Sequence, residues 1–141
     1  MIRPLRVYIA APIGDRELAD DIRTKLENIN INVTSAWMDK GPKPTPGLEE
    51  MVRWERYNRE AILGSEILVV AVTNPNASTG GMHSEMGYAL ACIEHGISKI
   101  RRVYYVSKIK PANVMAYHPN VLTIIDDDCA NQLVSELDGT K

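Results

Sequence analysis

Glu85 is the residue whose type and setting best suit chemistry. It lies in Gly80-Gly81-Met82-His83-Ser84-Glu85-Met86-Gly87-Tyr88-Ala89-Leu90, after the apolar run Ile67-Leu68-Val69-Val70-Ala71-Val72 and the turn formers of residues 73–79. This order predicts strand, loop and helix, with the helix beginning near Gly81. In an open α/β sheet, ligands bind where such loops leave the carboxyl ends of the strands. On the helix, Met82, Met86, Ala89, Leu90 and Ile93 form one apolar stripe, and Glu85 lies at its edge, one turn in. Partial desolvation there raises the pKa of a carboxylate, while the positive end of the helix dipole favours the ionised form. A partly dry carboxylate that stays ionised is a good nucleophile. The same spacing fits a solvated glutamate that only complements the dipole, so both readings stand.

Other chemistry-bearing residues are more sparsely set. Asn58 falls in the middle of the inner face of a second helix, where a polar amide must find partners or cost a few kcal/mol. It is either a core residue bonded to backbone or a site residue. Asp126-Asp127-Asp128 has metal-ligand chemistry in principle, but it reads better as a helix N-terminus satisfied by the dipole. No Cys/His spacing fits a zinc site. No Gly-x-Gly-x-x-Gly follows the first strand and there is no P-loop, which argues against a hydride-transfer enzyme or an NTPase. No Ser/His/Asp arrangement stands out.

The elements that must position these residues follow from patterning. Arg6–Ala11 reads as the first strand, Pro12-Ile13-Gly14 as a turn, and Asp15 as the N-cap of a helix with Leu18, Ile22 and Leu26 inward. Ile31–Trp37 reads as a second strand, and residues 38–47, with three prolines and two glycines, as a loop. Leu48–Leu63 should be a helix burying Met51, Trp54, Asn58, Ala61 and Ile62, closed by Gly64. Arg102–Val106 and Val121–Ile125 read as strands, residues 107–119 as a loop, and a last helix runs from the acidic triplet to about Leu137. Strands alternating with helices predict a single α/β domain over 1–141. It should be a doubly wound, flavodoxin-like or Rossmann-like, mostly parallel five-stranded sheet with helices on both faces.

Composition limits the partners. The 141 residues carry a formal net charge of −2, which offers no broad electrostatic grip on nucleic acid. No apolar run is long enough to span a bilayer, and Met1-Ile2-Arg3-Pro4 is not a signal peptide, so a cytoplasmic protein with no membrane partner is expected. Cys92 and Cys129 are the only cysteines, and Cys92, among Ala89, Leu90 and Ala91, reads as a buried thiol.

Three separated stretches together resemble the nucleoside 2-deoxyribosyltransferase superfamily, which includes nucleoside 5′-monophosphate N-glycosidases. Val7-Tyr8-Ile9-Ala10-Ala11-Pro12-Ile13 is similar to the family's opening strand and substrate loop. Ser78-Thr79-Gly80-Gly81-Met82-His83-Ser84-Glu85-Met86-Gly87-Tyr88-Ala89 is similar to its small-residue loop and Glu-x-Gly-Tyr-Ala helix. Asn113-Val114-Met115-Ala116-Tyr117-His118-Pro119 resembles a loop that the family passes to a neighbouring subunit.

The resemblance implies cleavage or transfer of the N-glycosidic bond of a nucleoside or nucleotide, in a homodimer or higher homo-oligomer, with no cofactor. Glu85 matches the nucleophile that attacks the anomeric carbon, and Tyr8 the tyrosine that orients it. Ala11, Pro12 and Ile13 match the base-pocket loop. Thr79, Gly80 and Gly81 match the loop beside the sugar or its 5′ group, where helix-start N–H groups suit a phosphate as well as a hydroxyl. Asn113, with Met115 two residues on, comes from the partner. One departure stands out: Asn58 occupies the place of an aspartate that assists the departing base. An amide holds a base by hydrogen bonds but cannot give it a proton. Asp15 is the candidate substitute. His83 is a further acid–base candidate, although its helical position points away from Glu85. Besides transferase and hydrolase, the residues leave open a module that binds a nucleotide or an NAD-derived metabolite without turnover. A flavodoxin-like electron carrier is the weakest alternative.

Overall fold

Apolar residues alternate across the central strands so that each strand feeds two cores. In β1 (Arg6–Ala10), Val7 and Ile9 face one side, Tyr8 and Ala10 the other. In β3 (Ile67–Val72), Ile67, Val69 and Ala71 oppose Leu68, Val70 and Val72. Such strands, buried on both faces, demand helices above and below. A computed structural model of the protein describes residues 3–39, 47–73, 80–111 and 114–140. It has five strands in the order β2-β1-β3-β4-β5, every pairing parallel, with β2 at Asn32–Val33, β4 at Arg102–Ser107 and β5 at Val121–Ile125.

Helices α1 (Arg16–Glu27) and α4 (Cys129–Asp138) cover one face of the sheet. Helices α2 (Leu48–Leu63) and α3 (Gly80–His95) cover the other. The fold is therefore the doubly wound, flavodoxin-like α/β architecture expected from the pattern. From β1 the chain passes to β2 on one side and then returns to β3 on the other. The sheet order thus reverses between β1 and β3, and the carboxyl ends of those strands flank a ready-made crevice. Among the described residues, no helix is long and apolar enough to cross a membrane.

Helices α1 and α3 end in the same way. After α1, Asn30 takes φ 64° while the N–H groups of Asn30 and Ile31 donate to the carbonyls of Glu27 and Leu26. After α3, Gly96 takes φ 60° while Gly96 and Ile97 donate to Ile93 and Cys92. This Schellman closure needs a residue that tolerates the left-handed region, hence Asn and Gly.

Two expectations are corrected. The strand expected over Ile31–Trp37 is confined to Asn32–Val33. Beyond Thr34, side chains take over from the backbone ladder. Ser35 Oγ accepts the Ile9 N–H at 3.1 Å, and the Trp37 indole N–H donates to the Ile9 carbonyl at 2.7 Å. With both polar groups of Ile9 satisfied, nothing holds the second strand alongside, and Trp37–Asp39 closes into a 3-10 turn. The helix at Leu48–Leu63 has the expected bounds but not the expected inner face. Ile62 is its one buried residue, Met51 is 51% exposed, and Trp54, Asn58 and Ala61 are half-buried. Only the last turns of α2 reach the sheet.

Candidate active site

Glu85 sits one turn into α3, half-buried, and Tyr8 rises toward it from the middle of β1, fully buried. The Tyr8 hydroxyl donates a short hydrogen bond to Glu85 Oε2. The two residues are 77 positions apart, brought together because β1 pairs with β3 and β3 feeds α3. Burial raises the Glu85 carboxyl above its usual range, and the bond from Tyr8 acts in the opposite direction. Burial, the neighbouring Glu85 charge and the shared bond all push the Tyr8 phenol up, so it stays a neutral donor. Glu85 is therefore a partly desolvated carboxylate with Oε2 held by Tyr8.

A cavity of about 340 Å³ opens between α2 and α3 at this point. Glu55, Asn58, Arg59 and Ile62 form its α2 wall. Gly81, Ser84, Glu85 and Tyr88 form its α3 wall. Glu85 and Tyr88 are three residues apart and so share a helix face, as do Glu55, Asn58, Arg59 and Ile62 by three- and four-residue spacing. Arg59 donates to Glu55 through Nε at 2.6 Å and Nη2 at 3.3 Å, which holds the Glu55 carboxyl below its usual range. The cavity thus presents a partly desolvated carboxylate, an amide, an ion pair, and the Ile62 and Tyr88 surfaces against which a planar ring can lie.

The sequence-derived candidates separate under this geometry. Glu85, Asn58 and Gly81 meet at the cavity, with Tyr8 directly behind Glu85. Gly80 is the first residue of α3. Asp15 occupies the N-cap position of α1, as expected, but its side chain is engaged elsewhere. It makes no side-chain capping bond to α1. It is buried, and both its oxygens are taken by Thr73, one by the N–H at 3.0 Å and the other by the hydroxyl. Asp15 therefore fastens the turn after β1 to the end of β3 rather than facing the cavity. Ala11 and Pro12 are half-buried after β1, and Ile13 opens a 3-10 turn at Ile13–Asp15. Met115 lies in a 3-10 turn, Val114–Tyr117, and is 41% exposed. Thr79 and Asn113 lie outside the described residues. His83 does not line the cavity, and burial lowers its pKa. The acidic triplet turns in on itself: Asp126 Oδ1 accepts the Asp128 N–H, and Asp128 Oδ1 accepts from Asn131. Among the described residues, no group of three His, Cys, Asp or Glu is arranged to hold a metal.

Sequence reasoning missed Glu55, Arg59 and Tyr88. Their signal was the four-residue spacing of Glu55 and Arg59 around Asn58, and the place of Tyr88 one turn beyond Glu85. No model of a known protein family matches the chain, and no curated protein matches it either.

Proposed function

We propose that this protein cleaves or transfers the N-glycosidic bond of a nucleoside through a covalent glycosyl-Glu85 intermediate, in the manner of the nucleoside 2-deoxyribosyltransferase superfamily. The observation that carries this reading is the Tyr8–Glu85 couple opening into the α2/α3 cavity. The Glu85 oxygen that Tyr8 does not hold attacks C1 of the sugar while the base leaves, through an oxocarbenium-like transition state that the carboxylate stabilises. A second base accepting the sugar completes a transfer; water completes a hydrolysis. Asn58, on the opposite wall, holds the base by hydrogen bonds. A nucleoside 5′-monophosphate is the alternative substrate, its phosphate meeting the first N–H groups of α3 and the Ser84 hydroxyl.

The test is incubation with deoxynucleosides, their 5′-monophosphates and a free acceptor base, followed by chromatography. Product formation that disappears in Glu85→Ala supports the enzyme. Tight binding without product favours the second reading, a module that holds a nucleotide without turnover, for which Asn58 in place of an acid is the motive.

A homo-oligomer and a cytoplasmic location belong to the same reading. Val114 at 83%, Tyr117 at 58% and Leu122 at 43% exposure form the kind of apolar surface that a second copy covers. Elution as a monomer at micromolar concentration in gel filtration removes that part.

A further inference from the structure

We infer that Arg59 stabilises the departing base, holding the negative charge that the base acquires as the glycosidic bond breaks. The inference rests on the proposed function above. Bond cleavage sends an electron pair to the base, which either takes a proton in the transition state or leaves as an anion. Among the described lining residues, no carboxylic acid is free to give that proton. Glu85 is the nucleophile. Asn58 carries an amide, which has no acidic proton. Asp15 is occupied with Thr73 and lies away from the cavity. Glu55, on the same wall, is ionised by its bond to Arg59 and has no proton to give.

Arg59 remains, one residue along α2 from Asn58. A guanidinium does not deprotonate, so it is no acid, but it is a fixed cation with five N–H donors. Glu55 engages two of these, through Nε and Nη2, and fixes the plane of the group. The rest of the group stays on the cavity wall. Guanidinium donors match the ring nitrogen and exocyclic oxygen on one edge of a 6-oxopurine. The step balances: Glu85 oxygen bonds to C1, the C1–N bond breaks toward nitrogen, and the purine anion rests at Arg59 until water protonates it on release. This assigns a preference for bases that carry acceptors at that edge, such as hypoxanthine and guanine.

The test compares the full-length protein and Arg59→Gln in single turnovers of 2′-deoxyinosine and its 7-methyl derivative. The methylated base leaves as a neutral molecule and has no charge to hold. The inference expects the deoxyinosine rate to fall ~10–100-fold in Arg59→Gln, with the 7-methyl substrate changed about 3-fold or less. Adding Asn58→Asp to that variant supplies an acid, and should recover the deoxyinosine rate with a basic limb in the pH profile that the wild type lacks. Equal losses on both substrates, or no loss on deoxyinosine, overturn the role of Arg59. A wild type inert toward both substrates overturns the glycosidic reading itself, and this inference with it.

Discussion

Behind the sheet, α1 presses Ala19, Ile22 and Leu26 onto the strands, and α4 adds Cys129, Ala130, Leu133 and Leu137. In front, α2 buries Ile62 and leaves Leu48 81%, Met51 51% and Val52 60% exposed. The rear layer is apolar and closed. The front layer stands off the sheet along half of α2, and the gap between α2 and α3 is where Glu85, Asn58 and Arg59 meet. A polar, partly desolvated site is costly inside a well-packed core. Leaving the α2 side of one face loosely covered gives that site room, while α3 and the rear layer supply packed cores. The front layer also exposes apolar side chains at the outer end of α2.

The sharpest way to break this contrast is Glu85→Gln. It keeps the shape and an acceptor for Tyr8 but removes the charged oxygen that the proposed reaction uses, so turnover should fall ~10³-fold or more in a steady-state assay. Stability should move the other way. Burial holds the folded-state pKa of Glu85 above its ordinary value of 4.5, so the folded chain binds that proton more tightly than the unfolded chain does. The ionised group therefore costs stability increasingly as pH rises from 4.5 through the folded-state pKa. Calorimetry at neutral pH should show the Gln variant melting roughly 2–4 °C higher, with the gap closing below pH 4.5. A lower melting temperature at neutral pH would remove the claim that the front face gives up stability for chemistry.

Leu133→Ala tests the rear face. The side chain is fully buried in the α1/α4 cluster, and denaturant unfolding should record a loss of about 2–5 kcal/mol. A loss under 1 kcal/mol would mean that the rear face is no tighter than the front.

Tyr8→Phe sharpens the front face alone. It deletes the bond that lowers the Glu85 pKa, so the acid limb of the pH–rate profile, already above the ordinary carboxylate value, should move to still higher pH. The plateau rate should fall ~10-fold as Glu85 loses its orientation. An unshifted limb would dissociate Tyr8 from the titration. The smallest effect belongs to Leu48→Gln at the outer end of α2, where unfolding of the dilute monomer should change by less than ~0.5 kcal/mol.

The division between faces also decides what the sequence makes legible. Strands β3 and β5 appear with the expected bounds because apolar runs, broken only by Thr123 in β5, and flanking turn residues mark them locally. Glu85 is legible because its helix start and apolar stripe lie within a dozen residues of each other. The N-cap position of Asp15 is legible locally, but the engagement of its side chain is not, since its partner Thr73 is 58 residues distant. The short β2 is illegible for a related reason: Ser35 and Trp37 compete with the ladder only when Ile9 lies beside them. On α2, periodicity identifies the apolar stripe but not how far along the helix the sheet extends to meet it.

The pairing of Tyr8 with Glu85 spans 77 residues, so it forms only after the first strand has docked beside the third. Closing so long a loop costs chain entropy that local helix formation does not. Regain of catalysis on refolding should accordingly trail the return of helical signal, making turnover a late clock for assembly of the sheet.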